Sequence, residues 1–535
     1  MATTSAAAEP PMADLSAQAA GGGAVAASPR VPRYAYYVLT LLILANFFNY
    51  LDRHIVSALA QRMSADLKLS DAQLGFLLGT AFATLYGVLG IAMGRIADQL
   101  SRTRLMAAGL ALWSAMTAMS GLAVNFASVA AARIGVGVGE AAANPCSHSL
   151  LSDYFPPRNR GVALGAYLAS VHLGIGGSLI LGGLILQKWP QLCTALPGNA
   201  CAIADWRGAF MLVGLPGIIL AVLIFFMRDP PRPQLRTASP LKIVIREIST
   251  SVPPFTLLNV HAAGGSRAAF KNLAFALLIG GIASAIAAAT GDWAQWIAVA
   301  VGAYSVSTWA QVLHHRDPAL FSLTFGCKTF LCAMFGGGFV ACFTGTVGTW
   351  SAPYAIRTLG ASAGEAGLAL GLTTFIGAGL SVIVGGFITD RWKQRDRRAP
   401  IFIALIALFG PIPMLVGMLM AETLGTFIAF FAAFTFLSMS WAGAFAALVM
   451  DLVLVRMRGA ASAIFSLMMM LIASGIGPYW AGKISTITGS LTTGLYSLLA
   501  LVPVAATLLI IAASRLRHET PEGRLAMAQA AGEPA

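Results

Sequence analysis

Charge is what this sequence has least of. Asp, Glu, Lys and Arg make up 10% of its 535 residues, against 57% hydrophobic residues, whereas globular chains carry about a quarter charged residues. With a mean hydropathy of +0.77, a soluble enzyme of this length is excluded. The first 33 residues lack the basic, then apolar, then small-residue order of a secretory signal. Their Ala, Gly, Ser and Pro content predicts a disordered tail. No His, Cys, Asp or Glu spacing suits a metal, and no phosphate-binding loop follows a strand, so no metal site and no cofactor are expected. The one adjacent His pair, His314-His315, reads as a solvated loop. The Gly135-Val136-Gly137-Val138-Gly139 run lies inside an apolar segment and reads as close helix packing. Cysteines number six. Cys146, Cys327, Cys332 and Cys342 fall in apolar runs and read as small packing residues, while Cys193 and Cys201 share a loop and could form a disulfide.

What is present is a series of apolar runs, many of 18 residues or more, each long enough to cross a bilayer. Six are expected near 35–60, 72–98, 104–123, 126–152, 161–187 and 207–228. Two follow a Pro-rich basic stretch, near 270–290 and 293–313. Six more lie near 320–353, 364–390, 400–420, 423–451, 459–486 and 491–513. The fold class is therefore an all-α polytopic membrane protein of fourteen spans. Its expected organisation is a tail (1–33), a six-helix bundle (34–228), a linker (229–267), an inserted hairpin (268–316), a second six-helix bundle (317–514) and a second tail (515–535). Apart from Lys271 at the start of the first run, the hairpin has no charged group inside either run, and it is expected to pack peripherally.

A formal net charge of +13 raises nucleic acid as a partner, but the basic residues explain themselves otherwise. Of the 34 Lys and Arg residues, 25 fall in loops on one side of the alternating spans, which assigns that side, with both termini, to the cytoplasm. No nucleic acid is needed. An inner, plasma membrane location and a monomer are expected.

The chain repeats itself. Gly75, Gly79, Gly94 and Asp98 recur as Gly367, Gly371, Gly386 and Asp390 at a constant offset of 292 residues. Asp153 and Arg160-Gly161 recur as Asp451 and Arg458-Gly459 at an offset of 298. Four coincidences at one offset mark two halves built on one plan. Parallel six-helix halves joined by a long linker are the layout of major facilitator transporters, whose substrate site lies between the halves. The stretch from Gly94 through Asp98 and Arg102 to Arg104 resembles the signature loop between helices 2 and 3 of that superfamily, with a partial copy at Gly386 to Arg395. An Asp at such a helix end can accept from a neighbouring helix N-terminus and pair with Arg, latching the halves when the cavity faces outward. The latch set is Gly94, Asp98, Arg102, Arg104, Asp153, Arg160, Asp390, Asp451 and Arg458.

Ionisable residues inside spans are costly and mark function. Here they are Asp52, Arg53 and His54, then Arg133, Glu140, His148, His172 and Lys328. Depth counting leaves an Asp52 to Arg133 pair geometrically open, with Glu140 nearer the midplane. The repeat offsets map Asp52 and Arg53 onto Thr344 and Gly345, and Arg133 and Glu140 onto Phe431 and Ser438, so the charges are confined to the first half. This asymmetry favours a working role over a static ion pair, which remains the alternative. A carboxylate whose Arg partner moves can take up and release a proton.

Asn49-Tyr50-Leu51-Asp52-Arg53, together with Arg133-Ile134-Gly135-Val136-Gly137-Val138-Gly139-Glu140, resembles the Spinster family of lipid transporters. The resemblance covers both bundles, though its motifs lie almost wholly in the first, and the extra pair of spans departs from a twelve-helix pattern. It implies proton-linked export of a lysolipid or sphingoid-type solute, with Asp52, Arg53, Arg133 and Glu140 in coupling. Anion-cation symporters share a similar Leu-Asp-Arg stretch, which keeps an organic-anion symporter or drug exporter as the alternative; a membrane-embedded enzyme is the weaker one. First-half spans offer polar groups and second-half spans are rich in Phe, Trp and Met, which suits an amphipathic solute. Candidate contacts are Asn49, His54, Asn144, His148, Trp350, Tyr354, Phe375 and Trp441. The expected partners are this solute, protons and membrane lipids.

Overall fold

The computed structural model describes residues 31–195, 200–231 and 239–533. The tail expected over 1–33 lies outside the described residues up to residue 30, and Arg33 already opens the first helix; the linker lies outside them over 232–238.

Helices form along the apolar runs, and no strand occurs among the described residues. The first half comprises α1 (Arg33–Leu67), α2 (Asp71–Gln99), α3 (Arg102–Ser120), α4 (Phe126–Tyr154), α5 (Arg158–Ala195) and α6 (Asp205–Phe225). A linker helix, α7 (Pro240–Ser249), leads to the inserted hairpin, α8 (Thr256–Thr290) and α9 (Trp293–Arg316). After the short α10 (Pro318–Leu323), the second half comprises α11 (Lys328–Thr358), α12 (Ala363–Lys393), α13 (Ala399–Leu419), α14 (Leu424–Asp451), α15 (Val455–Thr488) and α16 (Leu491–Leu516); α17 (Pro521–Ala530) follows. Thirteen of these are long and apolar enough to cross a membrane. α3 makes the fourteenth; the two arginines of its first turn lower its apolarity, but it packs between α4 and α6. Lys328, counted among the spans, is the first residue of α11.

Local sequence sets the ends and breaks. Ser70 with Gln73, Asn125 with Ser128 and Ser362 with Glu365 form reciprocal caps at the starts of α2, α4 and α12, satisfying donors that a helix start leaves open. α4 breaks at Ala141-Ala142, directly after Glu140. Pro145 explains the break, because its ring has no N–H and crowds the carbonyl four residues earlier. α2 and α15 each contain one π-helical turn, at Phe76–Thr80 and Met470–Ser474.

The start of α1 meets the ends of α4 and α6 through the Tyr34–Tyr154 rings and the Arg228 N–H donating to the Tyr34 hydroxyl. Together with the start of α8 and the end of α9, which meet at Gly264 and His315, and the end of α16, these define a terminal face. The halves meet along two seams related by the repeat. On one, α2 crosses α15: a Cβ on Gly75 would stand 2.3 Å from the Pro478 carbonyl oxygen, and one on Gly79 2.0 Å from that of Ser474. On the other, α12 crosses α5: a Cβ on Gly367 would stand 2.4 Å from the Leu179 oxygen and one on Gly371 2.5 Å from that of Gly176. The repeated glycines are thus the points where backbone meets backbone across the seams, an approach only a residue without Cβ permits.

At the face opposite the termini the halves are fastened. Arg357 donates twice to Asp71, at 2.7 Å each, and once to Gln61 at 3.2 Å. Ser485 also donates to Asp71, and the Ala72 N–H donates to Thr486. At the terminal face, among the described residues, the ion pairs stay within one half or run to the linker: Arg102 with Asp153 and Asp229, Arg95 with Glu247, Lys393 with Asp451, and Arg456 with Asp317. The bundle is closed opposite the termini.

The hairpin is peripheral. Only 6% of the apolar window of α8 is buried, so α8 faces lipid, while α9 packs on α2.

Candidate functional site

Arg53 stands at the centre of the first half. Its Nη2 lies 2.7 Å and its Nε 3.2 Å from Glu140 Oε2, and Nη2 also donates to Asn49 Oδ1 at 3.3 Å. Three rings surround the guanidinium, with Cζ 4.6 Å from the Tyr50 centroid, 4.3 Å from Phe82 and 4.8 Å from Tyr86. Desolvated cation–π contacts of this kind offset part of the cost of burying a guanidinium. Glu140 is fully buried, and the break at Ala141-Ala142 ends the helical segment on which it is carried.

Arg133 does not reach the Asp52 carboxylate. It donates instead to the main-chain carbonyls of Asp52 and Arg53, at 2.8 Å each. Those oxygens already serve helix α1, and each has a second lone pair to offer. Arg133 therefore clamps α4 to α1, and the second buried carboxylate of the network, Asp52, is turned to Trp113 and Thr117 of α3. Neither Asp52 oxygen makes a hydrogen bond among the described residues, nor do Trp113 Nε1 and Thr117 Oγ1.

Beside the Arg53–Glu140 pair, toward the terminal face, lies a cavity of about 350 Å³ between the halves. Its first-half wall carries Asn46, Tyr50, Tyr86, Asn144, His148 and Tyr167, and its second-half wall Gly459, Ser462, Ser466 and Leu467. A hydrogen-bonded chain runs along the first wall: the Tyr167 hydroxyl donates to Asn144 Oδ1 at 3.0 Å, and Asn144 Nδ2 donates to the Tyr86 hydroxyl at 3.1 Å. Asn46 is tied to the Tyr167 carbonyl and to Ser170. A smaller cavity, about 130 Å³, is lined by His54, Ser57, His172, Thr349, Phe431 and Phe434. The Ser57 hydroxyl donates to the Thr349 carbonyl across the halves.

The remaining candidates fall in other places. Trp350, Tyr354 and Trp441 are buried in the second-half core, where Trp350 donates to the Pro478 carbonyl and Tyr354 to that of Leu419. Phe375 is half-exposed on α12, over Gly176. Asn49 holds Arg53. In the latch set, Arg102 is buried and joins Asp153 of the first half and Asp229 at the start of the linker; Asp98 and Arg104 line a hollow beside it. Arg160 donates to the Ser152 carbonyl, and Asp451 pairs with Lys393. Gly94, Asp390 and Arg458 lie at helix ends, with no atom near a Cβ on Gly94 and both charged side chains exposed. Cys193 and Cys201 are joined by a disulfide. No His/Cys/Asp/Glu group able to hold a metal occurs among the described residues.

Sequence reading missed Tyr50, Phe82, Tyr86 and Tyr167, and the Asp71–Arg357 fastening. A signal existed for three of them: Tyr50 stands three residues before Arg53 on α1, and Phe82 and Tyr86 are four apart on one face of α2.

Two pseudo-symmetric six-helix halves, with a cavity at their junction and a buried charge pair beside it in the first half, define a membrane transporter of the secondary type. The profile of the Major Facilitator Superfamily matches residues 42–478, and the chain belongs to that superfamily. Within it the chain is Spinster-like. It is 25% identical over 460 residues to human protein spinster homolog 1, covering 85% of this chain and 74% of that one. It is 26% identical over 454 residues to an MFS-type efflux pump of Mycolicibacterium smegmatis, covering 85% of each. The fold matches the crystal structure of a bacterial homolog of the human lysosomal transporter Spinster, inward-facing and occupied, with a TM-score of 0.67 and 21% identity over 92% of this chain and 99% of that one.

Proposed function

We propose that the protein is a proton-coupled secondary transporter that moves an amphipathic, lipid-like solute of lysolipid or sphingoid type by alternating access. It works as a monomer in the inner membrane, with the terminal face in the cytoplasm, a topology that the bias of basic residues toward the loops of one side supports. The observation that carries the reading is the fully buried Glu140 paired with Arg53 directly behind the Tyr50 and Tyr86 wall of the cavity. The mixed wall, with hydrogen-bonding rings on one side and Gly, Ser and Leu on the other, supports a solute with one polar end.

With Glu140 ionised, the pair holds α1 to α4, and Arg53 is neutralised within its ring of aromatics. A proton on Glu140 removes the ionic bond and frees Arg53 to turn toward the cavity, so that solute and proton states are read by one side chain. Closing a dry cavity around a neutral Glu140 is less costly than closing it around a charged one. A proton driven through 100 mV contributes about 2.3 kcal/mol, enough to bias the two arrangements by more than tenfold.

The test is uptake into proteoliposomes of labelled lysolipids and, for the competing reading, organic anions, with and without a pH gradient. Glu140→Gln should abolish gradient-driven accumulation while leaving downhill exchange in place. Accumulation by that variant with the parent's pH dependence would make the pair a static brace.

A further inference from the structure

A second cavity of about 350 Å³ lies away from the solute site, behind the hairpin, where the α2–α15 seam meets the bilayer. Its walls come from all three parts of the molecule: Thr80 and Thr84 of the first half, Val299 and Ala303 of hairpin helix α9, Phe335 and Leu471 of the second half. The wall is apolar in effect. The Thr80 hydroxyl donates to the Gly475 carbonyl at 2.8 Å, that of Thr84 to the Thr80 carbonyl at 3.1 Å and that of Ser307 to the Tyr304 carbonyl at 2.8 Å. These hydroxyls are committed within the protein, which disfavours water as the filling.

The hairpin keeps this space open. Its polar ties to the second half are gathered at the end opposite the termini, where Asp292 accepts from Lys483 at 2.7 Å and from Tyr479 at 2.9 Å, and Gln295 donates to the Gly475 carbonyl at 2.9 Å. Toward the terminal face α9 is held again by the Trp309–Phe325 and His314–Phe321 ring contacts, and the cavity lies between α9 and α11 in the stretch between these two sets of contacts. At the rim Phe335 and Ala303 are exposed to the surrounding bilayer. Taking about 30 Å³ per methylene, close to the share of a water molecule in the liquid, the space accepts a chain of roughly twelve carbons. It runs from Leu331, in the first turn of α11, to Thr80, ten residues into α2; at about 1.5 Å per residue this is the depth of one leaflet.

We propose that this cavity is a binding site for one acyl chain of a bilayer phospholipid, drawn from the leaflet at the terminal face. Because the chain touches both halves and the hairpin, it fills the seam in the arrangement closed opposite the termini and favours that arrangement. The site is separate from the coupling pair and does not depend on which solute is moved.

The experiment uses the full-length protein in nanodiscs doped with phosphatidylcholine carrying a mid-chain diazirine, or with lysophosphatidylcholine carrying the same group, and maps adducts by mass spectrometry. The diacyl probe should mark Ala303, Phe335 and Leu471 several-fold more than the lipid-facing Phe270 and Leu277 of α8. Ala303→Phe, which fills the space from an exposed rim position, should reduce adducts on Leu471 at least fivefold and leave α8 labelling unchanged; Val306→Trp serves as a second filling variant. Equal labelling of α8 and the cavity, or labelling indifferent to both variants, would leave only annular lipid and overturn the site. Marking by the lysolipid and not by the diacyl probe would overturn the source, assigning the space to a single-chain solute.

Discussion

Asp71→Asn should release the fastening between the halves. Asp71 takes two hydrogen bonds of 2.7 Å from Arg357 and one from Ser485, and all of these run from the first half to the second. A charge-assisted bond in a dry site contributes about 1.5–3 kcal/mol, and an exposed ion pair about 0.2–1. With Asp71 12% and Arg357 34% exposed, the pair lies between these limits, and we take about 1–2 kcal/mol after discounting for solvent. The equilibrium between arrangements closed and open at that face then shifts roughly 5–30-fold toward open. Nitroxides at Lys188 and Thr488, exposed positions on opposite halves at that face, report it by pulsed dipolar distance measurement. The parent should give one short distance and Asp71→Asn a second, longer component. The exchanged pair Asp71→Arg with Arg357→Asp should recover part of the short component. Unchanged distributions in Asp71→Asn and in Arg357→Gln would refute the fastening.

Three further outcomes are expected. Gly371→Val should lower transport at least tenfold in folded protein, because its Cβ would meet the Gly176 carbonyl oxygen at 2.5 Å, whereas Gly386→Ala, with no atom within 4 Å, should transport as the parent does; uptake paired with size-exclusion profiles checks both. Arg102→Ala removes the guanidinium that Asp153 and Asp229 share, while Asp229 keeps the Ser101 hydroxyl and the main-chain N–H of residue 102, and should lower stability by about 1–3 kcal/mol, below the range for fully buried pairs because both carboxylates are part-exposed; a reduced Tm in detergent reads it, and an unchanged Tm would show that the cluster is not structural. The Arg456 guanidinium holds the Asp317 carboxyl below its ordinary value near 3.8. A depressed folded-state value means that this contribution is present above about pH 4 and fades as pH falls through the folded value, so Asp317→Asn should flatten the acid limb of Tm against pH and leave the neutral limb nearly parallel.

Hydropathy and repeat spacing make the architecture legible in the sequence, since a bilayer accepts only segments with their backbone bonds satisfied internally, here helices, and penalises every charge it covers. Arg53 and Glu140 stood out for that reason. Their pairing did not. Arg133 and Arg53 lie at comparable depth, and which of them reaches Glu140 depends on the rotation of α1 against α4, which spacing along the chain does not encode. Trp350, Tyr354 and Trp441 are candidates only as aromatic residues in spans, and they pack the second-half core, while the rings at the cavity are Tyr50, Tyr86 and Tyr167. Lipid, helix core and cavity wall all accept an aromatic side chain, so composition cannot separate them.

The glycine repeat shows the division most directly. The sequence alone determined that Gly75, Gly79, Gly367 and Gly371 are equivalent pairs in two halves, because a constant offset survives in the order of residues. That each pair lies on a seam against the other half, with Pro478 and Ser474 on one side and Leu179 and Gly176 on the other, emerges only in the folded chain. The same holds for Asp71 and Arg357, 286 residues apart. A contact between halves is a property of how two rigid bundles dock, and docking is set by the summed shape of many surfaces rather than by any local run of residues.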